Sequence, residues 1–240
     1  MGNVVIGGAD GPTAIFIRGG ASFVIENPIF LIAIGIAVFV ISYFLGNISP
    51  AILIGRAYGI DIKKEGSGNA GTTNVMRVLG KKAAVGTLII DIGKGIVAVL
   101  LGKLAGYLYA VRSLGLTDEE SIHWLMMILA MGCAFFVFIG HIWPLLFGFK
   151  GGKGVATAFG ALVTINLMMG LMCLLVVAVV VLIFRMSSLG SICGALSLPI
   201  IATFVEPVFV PMGSLMAIIV IIKHRSNIKR ILRHEESKLF

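Results

Sequence analysis

The chain has 240 residues, 58% of them hydrophobic and only 12% charged, with a formal net charge of +8 at pH 7. Soluble domains average about 25% charged residues, so a soluble globular protein is excluded. Repeated long apolar runs indicate an integral membrane protein of the all-α kind rather than a barrel, and no nucleic-acid-binding motif accompanies the basic charge.

Residues 1–27 form a leader. Gly7–Thr13 is turn-rich, and no basic segment precedes an apolar core, so this is not a signal peptide. The stretch Val4–Phe16 resembles a loop in the β subunits of sodium-pumping decarboxylases. Nothing else in the chain follows that family, and the stretch reads as a chance or fusion-derived leader rather than an ion site. Residues 28–240 read as one membrane domain. Apolar runs are predicted over about 28–55, 83–110, 122–146, 154–166, 168–185, 189–205 and 207–222. The fourth is short, either a thin span or a re-entrant helix. Cys133, Cys173 and Cys193 lie in these runs without metal-like spacing and read as small buried hydrophobes.

About seven spans with the N-terminus outside place the C-terminus in the cytoplasm. The inner segments then hold every Lys and Arg except Arg18 and Arg112, which lie outside, and Lys94 and Lys103, which lie within the second run. Asp118, Glu119, Glu120 and Glu206 fall on the outer side. This is the asymmetry of the positive-inside rule, and it requires the fourth run to cross.

Three polar clusters share the inner face. Gly66–Arg77 places Ser67, Asn69, Thr72, Thr73, Asn74 and Arg77 among glycines, supplying hydroxyl and amide donors and a guanidinium that can grip phosphate in two bonds. Lys150-Gly151-Gly152-Lys153-Gly154 joins the third and fourth runs. Its glycines turn tightly and present N–H groups, and the helix start at Gly154–Thr157 also favours anions, so the segment reads as a phosphate cradle. The alternative is a flexible basic loop. In His224–Arg230, His224 and Asn227 share a face if helical, while Lys229, Arg230 and Arg233 read as headgroup anchors. Asp91 and Lys94, at i and i+3 in the second run, read as an ion pair with site support as a second role. Ser188 and Ser191 are placed facing the same cavity, and His141 is placed as a support for the cradle.

Several chemistries are closed. Gly152-Lys153 is followed by Gly154, so there is no Walker loop. No zinc spacing occurs. No histidine has an aspartate five residues on, and no Gly-x-Ser-x-Gly elbow is evident. What remains is anion-binding capacity with few bases.

The three clusters, in their order and lengths, together with Asp91-Ile-Gly-Lys94-Gly95, resemble the PlsY family, the bacterial acyl-phosphate-dependent glycerol-3-phosphate acyltransferases. The likeness covers about residues 30–235. It implies transfer of a fatty acyl group from acyl phosphate to the 1-hydroxyl of glycerol 3-phosphate, giving lysophosphatidate and phosphate, with no cofactor and no acyl-enzyme. A phosphate oxygen of the donor would take the hydroxyl proton. It implies a bacterial inner-membrane protein with the bilayer and the two phosphorylated substrates as partners. Ser67, Arg77, Lys153, Ser191, His224 and Asn227 would line the pocket. We assign Lys153, His224 and Asn227 to glycerol phosphate, and the Gly151–Gly154 backbone with Ser67 and Asn69 to acyl phosphate. Thr73, Asn74, Lys150 and Ser188 are added as contacts. A transporter or ion-pump component is the alternative reading, carried by the leader and by Asp91 and Lys94.

Overall fold

The computed structural model describes residues 13–16, 22–25 and 28–239. A hairpin comes first, strand β1 (Thr13–Phe16) pairing antiparallel with β2 (Ser22–Ile25) and Thr13 opposite Ile25. Residues 4–12 of the decarboxylase-like stretch lie outside the described residues. From Pro28 onward the regular structure is helical, as lipid demands of a backbone that must satisfy its own hydrogen bonds.

The first apolar run is not one helix but two, α1 (Pro28–Asn47) and α2 (Pro50–Ala57). Pro50 has no N–H to offer the carbonyl of Gly46, so the helix breaks there. Next come α3 (Thr72–Leu79) and α4 (Lys81–Leu108), joined at Gly80, whose φ of +88° suits only glycine. Asp118 starts α5 (Glu119–Ile142), its carboxylate accepting the Ser121 N–H at 2.8 Å. The chain continues with α6 (Val155–Ile165), α7 (Leu167–Phe184), α8 (Ser187–Val205), α9 (Val210–Lys223) and α10 (Arg225–Leu232).

Among the described residues, five stretches are long and apolar enough to cross a membrane: Ile29–Ala57, Lys81–Ser113, Glu119–Phe147, Leu167–Phe184 and Ser187–Val205. Pro207–Lys223 with Arg225–Leu232, bent by 58°, makes a sixth if the pair counts as one. The difference from seven is α6. Its 11 residues rise only about 16 Å, roughly half the hydrocarbon core. It nevertheless reaches the far end of the bundle, where Asn166 lies 3.5 Å from the Val205 carbonyl and from Glu206. It can do so because the cradle before it dips inward, seating Gly154 on the ring of Phe138. Lys103, unexplained within the second run, donates to the Thr164 carbonyl at 2.6 Å and so closes the end of α6.

The outer faces are apolar: Leu182 on α7 is 69% exposed and Phe204 on α8 is 83% exposed, a surface that lipid stabilises and water does not. The core lies between α5, α6, α7, α8 and α9, around Phe138, Ile142, Met169, Leu198 and Met216. Helix contacts inside the bundle rest on small residues. Gly46 of α1 and Gly140 of α5 meet back to back, and a Cβ at Gly140 would stand 2.1 Å from the Tyr43 carbonyl oxygen. Gly95 of α4 and Gly160 of α6 make a second such crossing. Backbone cannot yield as a side-chain tip can. Gly140→Val is therefore expected to lower the thermal midpoint sharply in detergent, whereas Gly93→Val, with open space around it, is expected to leave it near that of the parent.

Candidate active site

A cleft of about 500 Å³ opens at the end of the bundle that carries α3, the cradle and α10. Each of the three polar clusters reaches it by a different device.

The loop before α3 turns through Gly66 and Gly68, both at positive φ. Asn74 holds it from within: its Nδ2 donates to the carbonyls of Ile62 (3.1 Å) and Glu65 (3.0 Å), and its Oδ1 accepts the Ser67 N–H at 2.8 Å. The amide is thus committed to the loop, and Ser67, Asn69, Thr73 and Arg77 are presented beside it. Thr73 Oγ1 lies 3.4 Å from Ser187 Oγ, tying α3 to the start of α8.

The cradle corrects an expectation. The N–H groups of Gly151 and Gly152 donate to the carbonyls of Ile142 and His141, each at 3.2 Å. They close the end of α5 and are not directed at a ligand, and neither glycine lines the cleft. Lys150 is exposed and outside it as well. The parts facing the cleft are Lys153 and the first turn of α6, through Gly154, Val155 and Ala156, whose N–H groups have no intrahelical acceptor. Gly154 sits at φ +84° with Phe138 where a Cβ would go. No side chain fits there, and the chain is forced to aim Lys153 inward.

Lys153 Nζ donates to Asn227 Oδ1. Burial lowers its amine to about 8, a shift that Glu236 opposes and Arg230, Arg77 and Lys223 reinforce. Across the cleft, His224 Nδ1 lies 2.8 Å from the Val220 carbonyl. A carbonyl only accepts, so Nδ1 carries the proton and Nε2 holds the lone pair. Burial, with the Lys153 charge next, lowers His224 to about 4, so the ring is neutral near pH 7. His224 is the residue at the break between α9 and α10, Asn227 lies in the first turn of α10, and both are buried.

Sequence reasoning missed Glu236. Its carboxylate accepts from Ser188 Oγ (2.7 Å), Asn227 Nδ2 (2.7 Å) and Arg230 Nε (2.6 Å). Burial pushes this carboxyl up, but those three bonds and the Arg230 charge outweigh it and hold the group below its usual value. Arg230, expected as a lipid anchor, is therefore a member of the site's support. The available signal was an acidic pair, Glu235-Glu236, in an otherwise basic tail. Ser191 also lines the cleft, its hydroxyl bonded to the Ser187 carbonyl at 2.8 Å, and Ser188 is drawn to Glu236.

Asp91 and His141 lie at the cleft's inner wall, with Lys94 behind them. Lys94 Nζ is 2.9 Å from Asp91 Oδ1, which lies 3.2 Å from His141 Nδ1. The pair is internal, with both side chains buried. Below the polar mouth, the cleft continues as an apolar arm between α6, α7, α8 and α9, bordered by Leu162, Cys173, Val177, Leu198 and Met216. The whole is amphipathic: cations and hydrogen-bond donors at one end, hydrocarbon at the other.

The sequence profile of the family described as glycerol-3-phosphate acyltransferase matches residues 36–234. A glycerol-3-phosphate acyltransferase of Clostridioides difficile is 41% identical over 209 residues, covering 85% of this chain and 95% of that protein. One from Neisseria meningitidis is 39% identical over 202 residues, covering 83% and 94%. The crystal structure of PlsY, an integral membrane glycerol 3-phosphate acyltransferase, in its glycerol 3-phosphate form superposes with a TM-score of 0.70 at 32% identity, over 85% of this chain and 94% of that one. Its lysophosphatidic acid form gives 0.67.

Proposed function

Because this chain belongs to the glycerol-3-phosphate acyltransferase family, and is an acyltransferase embedded in a membrane, we propose that it moves a fatty acyl group from acyl phosphate to the 1-hydroxyl of glycerol 3-phosphate. The observation that carries this reading is the amphipathic cleft, with Lys153, Arg77, His224 and Asn227 at its mouth and an apolar arm beneath. Both substrates bring phosphate to the mouth, and the donor alone brings a long hydrocarbon tail.

In the reaction the glycerol oxygen bonds to the acyl carbon as the bond from that carbon to the phosphate oxygen breaks. The hydroxyl proton passes to a phosphate oxygen of the donor, which leaves as inorganic phosphate. No enzyme nucleophile is required, because the donor is already activated. The protein contributes orientation and fixed positive charge. The first turn of α6 and Ser67 face the donor phosphate; Lys153 and Asn227 hold glycerol phosphate. His224, with Nδ1 committed to Val220 and Nε2 unprotonated near pH 7, accepts a hydrogen bond from the 2-hydroxyl of glycerol phosphate and so aims the 1-hydroxyl oxygen, whose own proton stays free for the donor phosphate. This refines the assignment of His224 to a phosphate group. The basic residues gather at the cleft's end of the bundle, so by the positive-inside rule the cleft faces the cytoplasm.

The test supplies purified protein in a lipidic environment with palmitoyl phosphate and glycerol 3-phosphate, and follows phosphate and lysophosphatidate, with palmitoyl-CoA in parallel. Product from the phosphate donor alone supports the reading; product from the CoA donor alone would sink it. The pH dependence has a defined sign. Lys153 must be protonated and its amine sits at about 8 in the free protein, so kcat/KM is expected to fall as pH rises through about 8. A bound phosphate raises that value, so the alkaline fall in kcat is expected at higher pH than the fall in kcat/KM.

A further inference from the structure

Behind the cleft lies a buried charge that no step of this reaction uses. The side chain of Lys94 is 3% exposed, and an ammonium inside a bundle is costly where an apolar residue would pack without penalty. Its three protons have definite acceptors. Two are the carbonyls of Gly46 (3.0 Å) and Ile48 (2.8 Å), at the break between α1 and α2, where Pro50 cannot serve the Gly46 carbonyl. The third reaches His141 Nδ1 at 2.8 Å. Nδ1 also lies 3.2 Å from Asp91 Oδ1, but that oxygen makes no hydrogen bond of proper geometry; the shorter contact is to an ammonium, which can only donate, so Nδ1 offers its lone pair and the ring proton resides on Nε2. Asp91, at 2.9 Å, supplies the counter-charge.

The ring so fixed forms a wall of the cradle. A Cβ on Gly152 would stand 2.2 Å from His141 Nε2 and 2.8 Å from the Ala70 carbonyl oxygen. The His141 carbonyl in turn receives the Gly152 N–H. Ring and backbone of one residue thus hold the glycine that precedes Lys153. We propose that Lys94 is a positioning residue for acyl transfer, holding His141 as its Nε2–H tautomer and thereby setting the cradle that aims Lys153; this rests on the acyl-transfer reading above.

The test pairs a spectrum with kinetics. In enzyme labelled with 15N-histidine, which has four histidines, the resonance lost in His141→Phe is expected to report an unprotonated Nδ1 and a protonated Nε2. The variant carrying both Asp91→Asn and Lys94→Met removes the two charges together and leaves neither unpaired. In it the His141 signal is expected to shift toward mixed tautomers. Its kcat, per folded enzyme, is expected to fall about tenfold or more, as a displaced catalytic group requires, while the thermal midpoint stays near that of the parent. A kcat within about twofold of the parent would overturn the proposal, as would an Nδ1–H signal in the parent protein. Should the double variant not fold, the parent spectrum decides alone. A parent protein that fails to use acyl phosphate overturns the donor reading, while the tautomer assignment stands or falls on its own spectrum.

Discussion

Lys153→Ala is expected to lower acyl transfer by about a hundredfold or more, the usual cost of removing one fixed donor from developing charge, while the protein stays folded. Both halves follow from position. Lys153 is half-buried on a loop, and its ammonium reaches only to Asn227 Oδ1 and the open mouth of the cleft. Its removal leaves the Gly151 and Gly152 bonds to α5 intact, so the cradle keeps its path. Lys153→Arg separates charge from shape. A guanidinium stays protonated to beyond pH 12, so whatever activity that variant retains should no longer decline through pH 8. Size-exclusion behaviour and thermal midpoint measured beside turnover decide the matter. Unchanged turnover in Lys153→Ala would remove this residue from the chemistry.

Glu236→Ala is expected to damage stability and turnover together. The carboxylate joins α8, α10 and the tail through Ser188, Asn227 and Arg230, and its side chain is only 4% exposed. Hydrogen bonds to an ionised group contribute about 1.5–3 kcal/mol each, and removing this acceptor strands buried donors, chiefly Asn227. Asn227 also receives Lys153, so the loss propagates into the mouth of the cleft. The sign of the pH effect follows from the same bonds. The folded group lies below its unfolded value, so its contribution is fully present above the ordinary carboxylate range and disappears as pH falls through the lowered value. Thermal midpoints followed from pH 7 to below pH 4 should therefore fall in the parent and change less in Glu236→Ala. Parallel pH profiles would show that the carboxylate does not anchor the tail.

Much of the site could be read before the fold was seen, because anion chemistry needs particular residues close together in sequence. Ser67 to Arg77 and Lys153-Gly154 are such local clusters. His224 and Asn227 are three apart, and both line the cleft. Where the reading failed, the missing information was direction. Glycine N–H groups look equally available in sequence, but only the fold turns those of Gly151 and Gly152 back onto α5. Asn74 reads as a ligand by type, and packing makes it a brace for its own loop. Arg230 reads as one of several anchors, and only the return of the tail pairs it with Glu236.

The division has a physical basis. Composition, apolar run length and charge asymmetry determined a helical membrane protein, since lipid leaves the backbone no other way to satisfy itself. The order of the polar clusters pointed to the family. Tertiary structure decided what depends on contacts between distant segments. It broke the first run at Pro50 and filled the break with Lys94. It let an 11-residue α6 reach across the bundle by sinking its starting loop. It chose which nitrogen of His141 and of His224 carries the proton, because a tautomer follows from the partner, and the partners lie 47 residues away in one case and 4 in the other.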